Sequence, residues 1–505
     1  MSESQTSAKT KPNSLQNLWG LLVILILAFV ALGSWALASP VGSTPDEDFH
    51  LASIWCSSGG LHGMCEESPA QGKGTMLVAK SLLESQCYAH HAEISSGCQI
   101  KNGILDNSEL VETVRGNFVG GYPPLYYATM HLFAGNDVQI SVVLMRFLNI
   151  FLFLALATAS WIASPLASRV AQKNLWLITA VPLGIFLIPS VNPSSWTIMG
   201  IAFAAIGLFG YFNSGGNTVN KWTNYGVFIA AGLMASGARA DGAVYLVLTI
   251  LAISLVSFSR LKSNWKLSLP ALPMVFISFL FYQMASQSSV AASGFGEDIF
   301  TDRTPFSVLA VNILTLPDLL VGVFGTWGLG WLDTSMPQSV WALSAASFVA
   351  VIVLAWQKLT KSQLIVTIGL LFVAILLPLY VLQRSLAHVG EFLQPRYLLP
   401  LYVLITFVAL LAFKSGKLML TRFTKVLLVL ALSTAQMMAL YVNIDRYVHG
   451  ASIKTGVNLD AGLEWWWAAG PTPMTTFVIG SLSFFVLSYL LVRPFRIETT
   501  QSVGA

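Results

Sequence analysis

Residues 18–50 decide the fold, and they read LWGLLVILILAFVALGSWALA followed by SPVGSTPDEDFH. The first part, residues 18–38, carries no charge, and its length matches the about 20 residues that a helix needs to cross a bilayer. It is too long for the apolar part of a cleaved signal peptide. Three carboxylates follow at residues 46–48. The stretch therefore predicts a retained membrane span with an acidic cluster directly behind it.

The composition of the whole chain extends this prediction. Of 505 residues, 55% are apolar and only 10% are charged, whereas soluble domains carry about 25% charged residues. The mean hydropathy is +0.68. These values exclude a soluble enzyme, a coiled coil and a disordered chain, and they predict an all-α polytopic membrane protein. The predicted spans are 18–38, 142–165, 175–190, 196–212, 224–238, 241–258, 267–286, 339–357, 363–383, 398–413, 424–443 and 474–492.

The distribution of charge predicts which loops face the cytoplasm. With the N-terminus inside, 16 of the 27 basic residues but only two of the 23 acidic ones fall on the inner side. The formal net charge of +4 thus separates into +14 inside and −10 outside. We expect a multi-pass protein of the plasma (inner) membrane with both termini cytoplasmic, an extracytoplasmic active site and no nucleic-acid partner.

This sidedness also defines the expected domains. Residues 18–492 form a single transmembrane domain between two cytoplasmic tails, 1–17 and 493–505. The outer loops are 39–121, 287–338, 384–397 and 444–473. Both ends of the loop 287–338 are assigned to the outer side of the membrane, so its apolar part cannot form a single full crossing. Residues 306–332 are therefore predicted to be a re-entrant or interfacial segment.

Four cysteines fall in the first outer loop, at Cys56, Cys65, Cys87 and Cys98. In an oxidising compartment they predict two disulfides, and we favour the local pairs Cys56–Cys65 and Cys87–Cys98. A zinc site is the alternative, but no C-x-x-C ligand spacing supports it.

The acidic cluster Asp46-Glu47-Asp48 has two interpretations. If Pro45 opens a helix, Asp46 and His50 share one face, and mutual repulsion of the carboxylates raises at least one pKa toward that of a general base. Alternatively, the acids only complement the dipole of a helix N-terminus. A divalent cation, Mg²⁺ or Mn²⁺, bound by the three carboxylates is a further possibility.

Aromatic and cationic residues recur at the predicted outer ends of the spans. Tyr122, Tyr126, Tyr127 and Tyr397 form either an aromatic belt or a substrate wall. Arg396 precedes span 10 and either snorkels or holds a phosphate. Arg239 and Asp241 form either a simple ion pair in a turn or a place for a lipid phosphate. Arg384 and His388 are further phosphate candidates.

Two features together resemble a known superfamily: the carboxylates after span 1, and the segment Tyr122-Pro123-Pro124-Leu125-Tyr126-Tyr127. They resemble the C-type (GT-C) superfamily of integral-membrane glycosyltransferases. More narrowly, the chain is similar to a bacterial family of predicted polytopic membrane proteins of unassigned function, with Pro-Asp-Glu…His, Pro-Pro-Leu-Tyr-Tyr and Gly-Arg-Tyr…Pro segments. Here the last segment reads Pro395-Arg396-Tyr397…Pro400, with Pro395 in place of the glycine.

The resemblance implies sugar transfer from a polyprenyl-phosphate donor to an envelope glycan or glycolipid, with inversion. Asp46 is then the leading general base, Glu47 the second, and His50 orients either one. Arg396 and Arg239 are the leading ligands of the donor phosphate. Two alternatives stay open: a transporter or flippase of lipid-linked sugars, and a non-catalytic envelope assembly protein.

Overall fold

The computed structural model describes residues 14–69, 72, 74–286, 302–413, 421–451 and 456–493. Residues 1–13 and 494–505 of the predicted tails, residues 287–301 of the predicted loop 287–338, and residues 452–455 of the loop 444–473 lie outside the described residues.

Helices account for most of the described chain, and the prediction of an all-α polytopic membrane protein is confirmed. In order they are α1 Ser14–Leu37, α2 Glu47–Trp55, α3 Lys80–Leu83, α4 Gly97–Lys101, α5 Leu125–His131, α6 Val138–Ala163, α7 Leu166–Thr179, α8 Ile185–Leu187, α9 Pro193–Phe212, α10 Thr218–Ala238, α11 Ala240–Val256, α12 Phe258–Ser263, α13 Leu272–Met284, α14 Pro305–Val321, α15 Gln338–Trp356, α16 Lys361–Arg384, α17 Leu399–Leu410, α18 Arg422–His449 and α19 Pro473–Val492.

Ten helices among the described residues are long and apolar enough to cross a membrane. Two predicted spans, α11 and α17, are shorter than that length, and α10 is not among the ten. Asn220, Lys221 and Asn224 near its start leave α10 without an apolar stretch long enough to qualify. Conversely, the segment Pro305–Phe324, which was not a predicted span, is one of the ten by length and composition.

The contacts of α14 nevertheless agree with an interfacial or re-entrant segment. We call the end of the helix bundle that carries both disulfides the disulfide face, and the opposite end the basic face. Just before its start, Arg303 pairs with Glu391, in the connection between α16 and α17. Directly after its end, Gly322 lies against Pro395 of the same connection. Both ends of α14 thus contact segments at the disulfide face.

Small residues allow α9 and α10 to pack backbone against backbone. A Cβ added to Gly207 would lie 2.7 Å from the carbonyl oxygen of Asn224, and one added to Gly200 would lie 2.6 Å from that of Ala231. Such glycine-lined contacts are typical of membrane helix pairs. They fix α10, and with it the position of the turn that follows at Arg239.

Both predicted disulfide pairs, Cys56–Cys65 and Cys87–Cys98, are present. Between and beyond the cysteines lies a small antiparallel sheet in the order β1-β2-β3, which the sequence analysis did not anticipate. Its strands are β1 Cys65–Glu67, β2 Met76–Ala79 and β3 Leu110–Thr113. The sheet carries the chain from β3 back to the site, because Arg115 follows β3 directly.

Candidate active site

Asp46 lies at the junction between α1 and α2. The helix begins at Glu47, not at Pro45, so the predicted position of Pro45 at the helix start is wrong. Asp46 has a φ of 61°, a left-handed conformation that Asp tolerates better than most residues. Its side chain makes no capping hydrogen bond, and 41% of that side chain is exposed. The carboxylate is therefore held outside the helix, where it contacts other segments.

The carboxylates of Asp46 and Asp48 pair with guanidinium groups instead of repelling one another. Arg396 donates from Nη2 to Asp46 Oδ2 at 2.8 Å, while Nη2 of Arg115 lies 3.6 Å from Oδ1 of Asp46. Arg115 also forms a two-pronged pair with the buried Asp48. Oδ1 is thus the oxygen of Asp46 on the side of the half-exposed Arg115.

Glu47 occupies a fully buried structural position. Its Oε2 accepts hydrogen bonds from the backbone N–H and the hydroxyl of Thr44, both at 2.8 Å. Its Oε1 lies 3.4 Å from Nη2 of Arg146. The guanidinium of Arg146 also donates to the carbonyls of Ala36 and Pro40. This pair fixes the end of α1 and the start of α2, and so positions Asp46.

The pKa of Asp46 moves opposite to the expectation for the acidic cluster. Burial raises the pKa of this carboxyl, but the charge and hydrogen bond of Arg396 and the charge of Arg115 outweigh burial and lower it below its usual value. The expected rise assumed unpaired carboxylates, whereas the cations come from residues distant in sequence. Asp46 is consequently ionised at neutral pH.

His50 is buried and hydrogen-bonded to a tyrosine. Its Nδ1 lies 3.0 Å from the hydroxyl of Tyr127, so this ring nitrogen contacts Tyr127 and not the acidic cluster. Burial, reinforced by the charges of Arg396 and Arg239, lowers the pKa of His50 to about 3, against the attraction of Asp46. The ring is therefore neutral at physiological pH.

A chain of contacts connects Asp46 to a second arginine. Arg396, which is 4% exposed, donates from Nη2 to the hydroxyl of Tyr397 at 3.0 Å. The guanidinium of Arg239 stacks 4.6 Å from the ring of Tyr397 and 5.6 Å from that of Tyr122. These contacts bring three positive charges, those of Arg115, Arg239 and Arg396, into one neighbourhood.

Arg239 sits at a sharp break between two helices. It is the single extended residue between α10 and α11, and it forms a two-pronged pair with Asp241 at 2.8 and 3.0 Å. The predicted turn ion pair is therefore present. The pair uses the Nε and Nη2 edge of the guanidinium, so an additional anion would meet the Nη1 edge.

A lateral groove begins at this arginine. It encloses about 200 Å³ between α11, α13, α14, α16 and residues 393–398. Its polar end consists of Arg239, Asp241 and Tyr397, and its walls are mostly apolar, with Val244, Leu319, Leu377 and Val381 among them. Tyr245 on α11 donates to the carbonyl of Tyr397 and so fixes this end. We call this cavity the lateral groove.

The family model for "Predicted membrane protein (DUF2142)" matches residues 27–405. The chain belongs to this family. Among solved structures, the crystal structure of ArnT from Cupriavidus metallidurans bound to undecaprenyl phosphate is similar at a TM-score of 0.41 and 12% sequence identity, covering 95% of this chain and 77% of that chain. No curated protein matches the sequence.

In this DUF2142 chain, Pro395 lies directly before Arg396. It begins a short 3₁₀ turn, Pro395–Tyr397. Its ring packs directly against Gly322, where any side chain would clash. A small residue on the neighbouring segment thus makes room for the proline, and Arg396 keeps its place beside Asp46.

The structure separates the other predicted site residues. Tyr397 lines the lateral groove and Tyr122 stacks on Arg239, whereas Tyr126 is buried against Trp196. The backbone N–H of His388 donates to Glu391, whose carboxylate pairs with Arg303. Arg384 is exposed at the end of α16. Neither His388 nor Arg384 lies in the contact chain around Asp46.

The three carboxylates predicted as possible metal ligands also contact cations. In the part of the chain that the structure describes, no three side chains of His, Cys, Asp or Glu converge as a metal site would require. The carboxylates of residues 46, 47 and 48 contact Arg396, Arg146 and Arg115, respectively.

Sequence reasoning missed Arg115 and Arg146. Arg115 lies 67 residues from its partner Asp48, and Arg146 lies 99 residues from Glu47. Neither belongs to a motif. One signal in the sequence could have identified Arg146, because it is a lone cation within an apolar span. Placing such a charge in the membrane costs free energy, so the residue is expected to have a specific partner.

Proposed function

We propose that this protein is a membrane glycosyltransferase of the GT-C type, which moves a sugar from a polyprenyl-phosphate donor to an extracytoplasmic glycan or lipid acceptor. One observation carries the proposal: the apolar lateral groove ends at Arg239 and Tyr397, and Tyr397 contacts the Arg396–Asp46 pair. An apolar channel with a cationic end suits an isoprenoid chain with a phosphate, and the ionised carboxylate beyond it suits a base.

The donor is expected to enter the groove from the bilayer. Val244 and Tyr282 on its walls are exposed or half-exposed on the outside of the helix bundle, so a lipid chain reaches the groove laterally. The phosphate then lies near Arg239 and Arg396, since guanidinium groups bind phosphate through strong charge-assisted hydrogen bonds.

The reaction uses Asp46 as general base. The acceptor hydroxyl oxygen attacks the anomeric carbon while the bond from that carbon to the phosphate oxygen breaks, and the hydroxyl proton passes to Asp46 Oδ1. The polyprenyl phosphate leaves with the electron pair, and the two arginines stabilise its charge. Attack opposite the leaving group inverts the configuration.

Glu47 is a weaker candidate than Asp46 because of its burial and its existing partners. Both oxygens already accept hydrogen bonds or pair with Arg146, and the side chain has no exposed surface. We infer that Glu47 positions the α1–α2 junction, so its replacement should lower stability more than it alters the chemical step.

The test compares Asp46→Asn with Asp302→Asn, an exposed carboxylate outside the contact chain, in vesicles that contain a radiolabelled polyprenyl-phosphate sugar and envelope acceptor. We expect Asp46→Asn to lose at least a hundredfold in transfer rate, as general-base removal typically does, while the protein remains folded. Full activity of Asp46→Asn would contradict the proposal. Movement of the labelled lipid across the membrane without a new glycosidic bond would favour a transporter.

A further inference from the structure

A second cavity runs along α1, between helices that do not line the lateral groove. It encloses about 140 Å³ between α1, α6, α7 and α19. Its walls are almost wholly apolar, and Leu25, Leu154, Phe484 and Leu487 are among them. Several wall residues, including Leu25 and Leu154, are partly exposed, so the cavity is open to the outside of the bundle. We call it the α1 slot.

The α1 slot has the length of one bilayer leaflet. Its lining on α1 extends from Leu21 to Leu32, which corresponds to about 17 Å at the helical rise of roughly 1.5 Å per residue. Half of a typical hydrocarbon core is about 15 Å thick. The slot therefore suits one extended acyl chain that enters from the leaflet at the basic face.

The end of the slot at the basic face is cationic. Lys173 lines the slot, is 8% exposed, and donates to the carbonyl of Arg493 at the end of α19. Lys425, in the first turn of α18, adds a second positive charge at this face. The described segments that turn at the basic face contain no Asp or Glu. A headgroup at this end thus meets a positive potential.

We propose that the α1 slot binds one acyl chain of an anionic phospholipid whose headgroup phosphate lies against Lys173. Apolar walls accept the chain of any phospholipid, but the basic end favours a net negative headgroup over a zwitterionic one. The site lies between different helices from the lateral groove and does not depend on the proposed transferase activity. Its role is to hold α1, which leads directly to Asp46, against α7 and α19.

Native mass spectrometry of the purified full-length protein tests this site. Phosphatidylglycerol and phosphatidylcholine with identical chains are titrated separately into the protein in detergent micelles. We expect the wild type to bind phosphatidylglycerol about fivefold more tightly, the preference that one lysine near an anionic headgroup supports. Lys173→Gln should abolish this preference. Lys358→Gln, which removes an exposed lysine at the same face, should retain it.

A second variant changes the slot and leaves the charge. Ala28 lines the slot, and Ala28→Phe fills the space that an acyl chain would occupy. We expect it to lose the high-affinity phosphatidylglycerol adduct although Lys173 is intact, and this variant decides the matter if Lys173→Gln does not fold. Equal wild-type binding of the two lipids, an unchanged preference in Lys173→Gln, or a persistent adduct in Ala28→Phe would each overturn the proposal.

Discussion

At the scale of single residues, the position of Asp46 depends on cations that approach from two separate parts of the chain. Arg396 holds one carboxylate oxygen at 2.8 Å, and Arg115 faces the other at 3.6 Å. The sequence could predict Asp46 and Arg396 from their places beside spans. It could not predict Arg115, because only the folded outer segment brings β3 back to the start of α2.

Replacement of Arg115 should shift the pH dependence of transfer. Arg115 lowers the pKa of Asp46, so Arg115→Gln should raise that pKa, and Asp46 will then be protonated at higher pH. The acid limb of kcat/KM is expected to move to higher pH in Arg115→Gln. Arg115→Lys, which retains a positive charge, should leave the limb close to that of wild type. Identical acid limbs in Arg115→Gln and wild type would exclude this positioning role.

His50 should make folding stability sensitive to pH. Its pKa in the folded protein is about 3, below the value of about 6.5 in the unfolded chain. The unfolded chain therefore binds the extra proton between these values, so the stability contributed by neutral His50 is complete above pH 6.5 and declines as the pH falls toward 3.

The expected loss for wild type is about 2 kcal/mol between pH 6.5 and 5. His50→Gln removes the titrating group, and its free energy of unfolding should change less over this interval. Chemical denaturation in micelles at both pH values measures the difference. Equal pH dependence in the two proteins would mean that His50 is not buried in its neutral form.

At the scale of elements, the hydropathy pattern predicts most helices because a membrane span requires a long apolar run. The hydropathy pattern is less informative for α10, whose polar first turns are accommodated by packing against α9. It is also less informative for Pro305–Phe324, which is apolar but has contacts at the disulfide face at both ends. The three-stranded sheet escaped prediction because strands of three or four residues leave no clear periodicity. The disulfide pairs followed from short sequence separation.

The packing of α9 against α10 offers a direct test at this scale. Gly207→Ala would place a Cβ 2.7 Å from backbone atoms of Asn224 and Phe228, so we expect a loss of about 1–3 kcal/mol in unfolding free energy. Gly226→Ala on α10 is the matched control, because its Cβ would meet nothing within 4 Å. Denaturation of both variants measures the effect, and equal stabilities would contradict the close packing.

At the scale of the whole molecule, the separation of charge predicts the orientation in the membrane. The acidic residues, both disulfides and the Asp46 site all gather toward one face, while the described turns at the other face carry only cations. A lipid-linked donor fits this arrangement because its chain and its reacting phosphate need an apolar groove and a polar face in the same protein.

Thiol labelling of intact cells should establish the orientation. A membrane-impermeant maleimide is expected to label Lys101→Cys, an exposed position in the outer segment, and to leave Lys358→Cys unlabelled until the cells are permeabilised. The two exposed lysines serve as controls for each other. Labelling of Lys358→Cys alone in intact cells would reverse the proposed sidedness and place the Asp46 site in the cytoplasm.

We propose that the lateral groove holds the donor with its phosphate beside the Asp46 site. The most direct measurement is an electron cryomicroscopy structure of the Asp46→Asn variant with a polyprenyl-phosphate sugar. We expect the isoprenoid chain between α11, α13, α14 and α16, the phosphate within hydrogen-bond distance of Arg239 or Arg396, and the sugar facing residue 46. A chain bound elsewhere, or a phosphate away from both guanidinium groups, would contradict it.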